Sequence, residues 1–280
     1  MSRLKINFGI ALYLIACTGS HAEEPLKIAL NSGSAPYHFV GPDGKVKGYT
    51  IDIIDLITAR LKRDYIIVDV ELSAQIAGVN SGLYDWVAAF NQVTPQRGKS
   101  VLFSENIVEA NMGIVTLANV KEEIHSIEHL RGKSIAVNRG SVYDHWFSQR
   151  AGENGWTVMR YGKMSDAIQS VLSGRDFAVA AGDQALAYAA QQNSHLRVAF
   201  TRPTGATYAY MFGLSNEALR DQVEEALECL KASGDIARIH EKWTGSKPLS
   251  GGIAYTPQPG FGVEGTYGFN SKSHTMYCDI

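Results

Sequence analysis

The chain has 280 residues, and 45% of them are hydrophobic. This is long enough for one large domain or for two lobes that each bury a core. The formal net charge of -2 gives no electrostatic case for a nucleic acid or another polyanion as partner. The sequence has neither a metal-ligand spacing of cysteines and histidines nor a nucleophile motif, so it predicts no metal, no cofactor and no catalysis.

The first 22 residues have the pattern of a secretory signal peptide. A basic start precedes an apolar run from Ile6 to Ala16, and small residues follow up to Ala22, the predicted cleavage position. The run is too short to span a membrane comfortably. Lipidation at Cys17 is the less favoured alternative. The mature chain is therefore expected to be soluble outside the cytoplasm.

Short apolar runs alternate with helical patterns along most of the chain. The helical spacing is clearest at Ile53, Ile54, Ile57 and Leu61, which follow i, i+1, i+4 and i+8. The strand-like runs are Ile28 to Leu30, Ile66 to Val70, Trp86 to Phe90, Ser134 to Val137 and Phe177 to Ala181. This alternation predicts an α/β protein with mainly parallel sheets.

Two segments lead from a buried strand to a charged residue. In "LSGRDFAVAAGDQALAY", residues 172–188, Gly174 ends a helix, and Asp183 stands at the exit of the following strand. Such strand ends line the ligand crevice of open α/β sheets, so Asp183 is a candidate ligand contact, although it could instead cap the next helix. "NSGLYDWVAAFNQVTPQRGK", residues 80–99, has the same organisation and leads to Arg97.

These segments resemble motifs of the type II periplasmic solute-binding proteins of family 3, the polar amino-acid receptors of ABC importers. The likeness runs from "LKIALNSGSAPYHF" at Leu26 to "IARIHEKWTG", which ends at Gly245. It implies a periplasmic location and a periplasmic-binding-protein-like II fold, in which two lobes, each with a mainly parallel sheet flanked by helices, are joined by two hinge crossovers. The implied units are a signal peptide at 1–22, a first lobe at 26–114 plus 206–245, a second lobe at 117–200, and an unmatched Gly/Pro/Tyr-rich tail at 246–280.

The resemblance also implies two anchoring residues. Arg97 is expected to clamp a ligand carboxylate, because its planar fork can donate two parallel hydrogen bonds. Asp183, from the other lobe, is expected to hold an amino group. A surface salt bridge is the alternative role for Arg97.

The positions around these anchors depart from the family pattern. Gln92 stands where Ser or Thr is common, Ser141-Val142 replaces two threonines, Ser34 replaces an aromatic residue, and Phe90 replaces a small one. The ligand is therefore expected to be a small amino-acid-like zwitterion or a related carboxylate. The predicted ligand contacts are Arg97, Asp183, Gln92, Asn91, Phe90, Ser141, Val142, Ser34 and Tyr37.

The leading hypothesis is a monomeric, non-enzymatic receptor that delivers this ligand to the membrane permease of an ABC importer, with no nucleic acid as partner. One alternative is an enzyme that resembles the cyclohexadienyl dehydratases, with Glu105 or Glu109 as the acid. Another is an accessory protein of a periplasmic dehydrogenase, which would dock through the unmatched tail.

Two cysteines remain after the predicted cleavage, Cys229 on a helical pattern and Cys278 near the C-terminus. An even pair in an oxidising compartment predicts a disulfide, with two free thiols as the alternative. Such a bridge would hold the tail against the first lobe. The tail is expected to form an irregular strap over the surface, unless it is disordered.

Overall fold

The structure, a computed structural model, describes residues 23–278, so the predicted signal peptide and Cys17 lie outside the described residues. Within this range the chain forms twelve strands and seven α-helices. The strands are β1 Leu26–Leu30, β2 Gly33–Ser34, β3 His38–Val40, β4 Val46–Lys47, β5 Tyr65–Asp69, β6 Trp86–Gln92, β7 Leu102–Phe103, β8 Val108–Leu117, β9 Ser134–Asn138, β10 Thr157–Tyr161, β11 Ala178–Gly182 and β12 Leu196–Phe212. The helices are α1 Tyr49–Leu61, α2 Gln75–Asn80, α3 Val142–Asn154, α4 Met164–Leu172, α5 Asp183–Gln192, α6 Glu217–Ala232 and α7 Asp235–Thr244.

Nine of the twelve strands form one sheet, in the order β10-β9-β11-β8-β12-β6-β1-β5 with the short β7 paired to β12, and β2, β3 and β4 form a second sheet. At each end of this order the strands pair in parallel, as β5, β1 and β6 do at one end and β10, β9 and β11 at the other. The two long strands β8 and β12 run antiparallel in the middle and join the two ends. This arrangement confirms the predicted α/β fold with two crossovers.

Three separate sets of apolar residues form the cores. The larger core surrounds β1, β6 and α1 and includes Ile28, Trp86 and Ile54; we call this part lobe 1. Lobe 2 has a core on each face of its sheet, one around Phe147 and the other around Leu186. The residue limits predicted for each lobe stay a prediction. None of the helices within residues 23–278 is long and apolar enough to cross a membrane.

The observed elements follow the local signals in the sequence. Ile53, Ile54 and Ile57 form the buried face of α1, as their spacing predicted. Helix α4 ends at Leu172, and Gly174 adopts a φ of 71°, a left-handed conformation that glycine reaches without steric strain. Strand β11 then leads directly into α5, whose first residue is Asp183.

Residues 246–278 form an irregular strap that packs on lobe 1. A two-residue bridge between Phe261 and Asn270 folds part of the strap back on itself. Cys229 on α6 and Cys278 at the end of the strap form a disulfide, as predicted, with their Cα atoms 5.4 Å apart. The strap is therefore held covalently at its far end.

Charged side chains are buried where the strap covers α6. Lys231 Nζ lies 2.8 Å from a carboxylate oxygen of Glu105, and neither side chain is exposed. Glu224 accepts a hydrogen bond from the Gly262 amide at 2.8 Å, and Glu228 contacts His274 at 2.8 Å. Buried charges are tolerated only when they are paired and hydrogen-bonded. Strap residues therefore supply to these carboxylates the polar contacts that water would otherwise make.

We expect loss of the disulfide to destabilise the protein. The bridge closes a loop with a sequence separation of 49. Restricting such a loop in the unfolded chain stabilises the folded state by about 4 kcal/mol in the chain-entropy model. The midpoint of urea unfolding should fall in the Cys229→Ser/Cys278→Ser variant, as it should in reduced wild-type protein. Equal midpoints for oxidised and reduced protein would show that packing alone holds the strap.

Candidate functional site

A cavity of about 90 Å³ lies between the two lobes, and residues from both lobes line it. Lobe 1 contributes the ends of β1 and β6, and lobe 2 contributes the ends of β9 and β11 and the start of α3. Eight of the predicted ligand contacts line this cavity: Ser34, Tyr37, Phe90, Asn91, Gln92, Arg97, Ser141 and Val142.

Arg97 begins a single 3-10 turn, Arg97–Lys99, that follows β6. Its Nη1 donates to the main-chain oxygen of Gln92 at 3.0 Å, and its Nη2 donates to the main-chain oxygen of Gly140 in lobe 2 at 3.1 Å. Burial lowers the pKa of the guanidinium to about 10, which leaves it charged at neutral pH. Neither acceptor is a carboxylate, so the positive charge is solvated by carbonyl dipoles and is not neutralised by them.

Two neighbouring polar side chains are held in place by local hydrogen bonds. Ser141 is the N-cap of α3, and its hydroxyl oxygen accepts from the Asp144 amide at 3.0 Å. The Ser141 O–H can therefore still donate a hydrogen bond to a ligand. Gln92 uses its amide nitrogen to contact the Thr204 hydroxyl at 3.4 Å, whereas its buried Oε1 has no partner among the described residues.

Aromatic side chains form one wall of the cavity. Phe90 lies with its ring centroid 5.0 Å from Tyr37 and stacks on Tyr208 at 5.8 Å. The hydroxyls of Tyr208 and Tyr143 are 3.4 Å apart. Burial raises the pKa of Tyr208 to about 12, and it raises the pKa values of Tyr37 and Tyr143 as well. The three hydroxyls are therefore neutral at physiological pH.

Asp183 is not among the residues that line the cavity, although its charge acts on the lining hydroxyls of Tyr37, Tyr143 and Tyr208. One of its carboxylate oxygens accepts from Asn111 Nδ2 at 3.2 Å, and the other accepts from the Gln184 amide at 2.9 Å. The Tyr208 hydroxyl lies so close to Gly182 that a Cβ atom there would be 2.6 Å from it. A tyrosine hydroxyl therefore lies next to the strand exit at which Asp183 begins α5.

Several lining residues were missed by the sequence analysis. Asn31 and Asn138 stand at strand ends. Strand ends line the ligand crevice of open α/β sheets, and this rule, which identified Asp183, could also have found the two asparagines. Tyr143 and Tyr208 carried no signal, because a tyrosine on a helix or on a long strand is usually a core residue. The other missed lining residues with polar side chains are His38 and Gln75.

Direct contacts hold the two lobes together across the cavity. Lys163, at the start of α4 in lobe 2, forms an ion pair with Asp69 in lobe 1 at 2.7 Å and contacts the Ser32 hydroxyl at 3.2 Å. Asn31 Nδ2 donates to the main-chain oxygen of Gly162 at 3.2 Å. With the Arg97 contact to Gly140, these bonds describe a cleft in which the lobes have closed on each other.

Residues 26–246 match the family model described as bacterial extracellular solute-binding proteins, family 3. The chain belongs to this family. The match covers both lobes and ends where the strap begins, so the strap is an addition to the family's common part.

Individual relatives are distant. The arginine-binding periplasmic protein of Mannheimia haemolytica is 23% identical over 79% of this chain and 91% of the relative. The solved structure of an ancestral arginine-binding protein bound to arginine has 28% identity and a TM-score of 0.75, and the alignment covers 80% of this chain and 99% of that one. An ancestral amino-acid-binding protein, described as a precursor of cyclohexadienyl dehydratase, has the same fold at 23% identity and a TM-score of 0.70, over 79% of this chain and 95% of that one.

The buried His38 predicts a pH dependence of stability. Burial lowers its pKa from 6.5 to about 4, despite the nearby Asp69, so it stays neutral in the folded protein at pH 5. The unfolded chain binds a proton between pH 6.5 and 4 that the folded chain does not bind, and stability therefore falls as the pH falls. Between pH 7 and pH 5 we expect a loss of about 2 kcal/mol from this group.

The measurement compares urea unfolding of wild-type protein and of His38→Gln at the two pH values. Between pH 7 and pH 5 the free energy of unfolding should fall by about 2 kcal/mol less in the variant than in the wild type. The contributions of the other titrating groups cancel in this comparison. Parallel losses in both proteins would mean that His38 does not carry the effect.

Proposed function

We propose that this protein is an extracytoplasmic receptor that binds a small carboxylate of the amino-acid type between its lobes and delivers it to an ABC importer. The observation that carries this proposal is Arg97, a partly buried guanidinium that lines the cavity and bonds only to carbonyl oxygens among the described residues. A carboxylate would neutralise this charge and could accept two parallel hydrogen bonds. Membership of the family and the names of the relatives support the same function.

The position of Arg97 also couples binding to closure. It belongs to lobe 1, whereas one of its two acceptors, Gly140, and the capping Ser141 belong to lobe 2. A carboxylate held by Arg97 and Ser141 together would contact both lobes at once. A ligand favours a conformation only through such differential contacts, so binding would shift the population to the closed form, which the permease would recognise.

A binding role is favoured over catalysis by the composition of the cavity wall. Within the described residues no Asp or Glu lines the cavity. Glu105, one of the two acids considered for a dehydratase, is fully buried in lobe 1 against Lys231, and Glu109 does not reach the cavity. A general acid must lie within hydrogen-bond reach of the group that it protonates. Neither acid meets this condition.

Replacement of Arg97 tests the proposal. Arg97→Ala should abolish binding of any carboxylate ligand, since loss of a desolvated charge pair costs about 2 to 5 kcal/mol. Arg97→Lys should retain part of the affinity, because lysine keeps the charge but loses the bidentate fork. Isothermal titration calorimetry of ligands found by thermal-shift screening measures both effects.

Arg175→Ala serves as a matched control, because Arg175 lies on an exposed turn of lobe 2 and its removal changes the net charge equally. Its affinity should equal that of the wild type. If Arg97→Ala and Arg175→Ala bind a carboxylate ligand equally well, the proposed role of Arg97 is wrong.

A further inference from the structure

We propose that two ion pairs at the rim of the cleft form a latch that closes the lobes on each other even without a ligand. Asp69 and Glu71 of lobe 1 pair with Lys163 and Arg139 of lobe 2, and we call these four residues the rim latch. The inference goes beyond the proposed function, because it concerns how the cleft closes and holds for any ligand that binds there.

The four charges of the rim latch stand where the chain topology meets the cleft. Asp69 is the last residue of β5, and Glu71 lies two residues further on. Arg139 directly follows β9, and Lys163 is the N-cap of α4. The carboxyl ends of parallel strands line the crevice of an open α/β sheet. At this part of the rim lobe 1 therefore presents two carboxylates to two cations of lobe 2, and the opposite charges attract.

The pair of Asp69 and Lys163 belongs to a small hydrogen-bonded network. Lys163 Nζ lies 2.7 Å from an Asp69 carboxylate oxygen and 3.2 Å from the Ser32 hydroxyl. Asp69 also accepts from the Ser32 amide at 2.9 Å and from the Ser32 hydroxyl at 2.6 Å. Burial disfavours the charge of Asp69, but the hydrogen bonds from Lys163 and Ser32 outweigh it and lower the pKa of the carboxyl group. The carboxylate is thus ionised and already held in place within lobe 1, which reduces the side-chain entropy lost on pairing.

The second pair lies where the two lobes approach each other closely. Arg139 Nη1 is 3.6 Å from a carboxylate oxygen of Glu71. A Cβ atom at Gly162 would lie 2.5 Å from Glu71 Oε1, and one at Gly33 would lie 2.9 Å from Ser165 Oγ. A glycine on each lobe therefore leaves room for the contact that brings the latch charges together.

The rim latch acts on closure and not on the ligand. None of its four residues lines the cavity, so their charges do not contact a ligand that lies there. A receptor whose competent conformation is only partly populated binds more weakly by that fraction, whichever ligand it binds. The latch side chains are roughly half exposed, so dissolved salt screens their attraction. The closed fraction should therefore fall as the salt concentration rises.

The test is small-angle X-ray scattering of the mature full-length protein with no ligand added. Unfolding in urea and refolding without a reductant removes any ligand that was purified with it and keeps the disulfide. At about 0.01 M salt, where the screening length is about 30 Å, the radius of gyration should match the closed structure. At about 1 M salt, where this length is about 3 Å, the radius should increase.

Reversal of both cations gives a test at constant salt. In Arg139→Glu/Lys163→Glu each attraction becomes a repulsion, so the ratio of closed to open molecules should fall by about fivefold for each pair. The radius of gyration should then exceed that of the wild type at low salt. Lys133→Glu/Arg175→Glu is the matched control with the same change of net charge. Lys133 pairs with Glu122 inside lobe 2, and Arg175 lies on an exposed turn, so this control should scatter like the wild type.

An exchange of charges separates the ionic effect from damage to the fold. Glu71→Arg should expand the protein, and Glu71→Arg/Arg139→Glu should make it compact again, because the pair is restored with its signs exchanged. A thermal melt shows that each variant is folded. A folded exchange variant that stays as expanded as Glu71→Arg would overturn the assignment of this pair to the latch.

Two results would overturn the proposal as a whole. One is a wild-type protein that is already open at low salt. The other is a folded Arg139→Glu/Lys163→Glu variant that is as compact as the wild type. Because the scattering uses no ligand, either result leaves the proposed carboxylate receptor standing, whereas loss of that proposal through Arg97→Ala leaves the rim latch standing.

Discussion

The partly buried charge of Arg97 is the constraint on which the cavity between the lobes depends. A guanidinium taken out of water must be surrounded by acceptors, and two main-chain oxygens, from Gln92 and Gly140, meet this need in the structure. One acceptor lies in each lobe, so the same interaction that solvates the charge also joins the lobes. The carbonyls leave the charge unneutralised, and this is the physical reason for proposing an anionic ligand here.

The surroundings of Arg97 strengthen its interaction with an anion. Tyr37, Phe90 and Tyr208 line the same cavity as the guanidinium, and an electrostatic attraction is stronger where the local dielectric is low. Large rings are packed in this wall, and one of them, Phe90, stands where the family pattern has a smaller residue.

The sequence predicted those features that depend on local patterns. Strand-like runs matched β1, β5, β6, β9 and β11, and strand ends located most of the cavity wall. Features that depend on contacts between distant segments could not be read in this way. The direction of the Asp183 carboxylate is set by Asn111 on β8, and the burial of Glu105 is made possible by Lys231 on α6. In each case the partner lies far away in the sequence, so neither the spacing nor the composition around the residue reveals it.

The strap extends these long-range constraints to the binding site. Its Tyr267 amide donates to the main-chain oxygen of Gly98 at 2.7 Å, in the 3-10 turn that begins with Arg97. Thr266 packs so closely on the same residue that a Cβ atom at Gly98 would lie 2.6 Å from its methyl group, and only glycine fits there. The turn that presents Arg97 is therefore fixed from outside by a segment that lies beyond the family's common part. The strap contributes no residue to the cavity wall, and it acts on the site by limiting where the backbone of the Arg97 turn can lie.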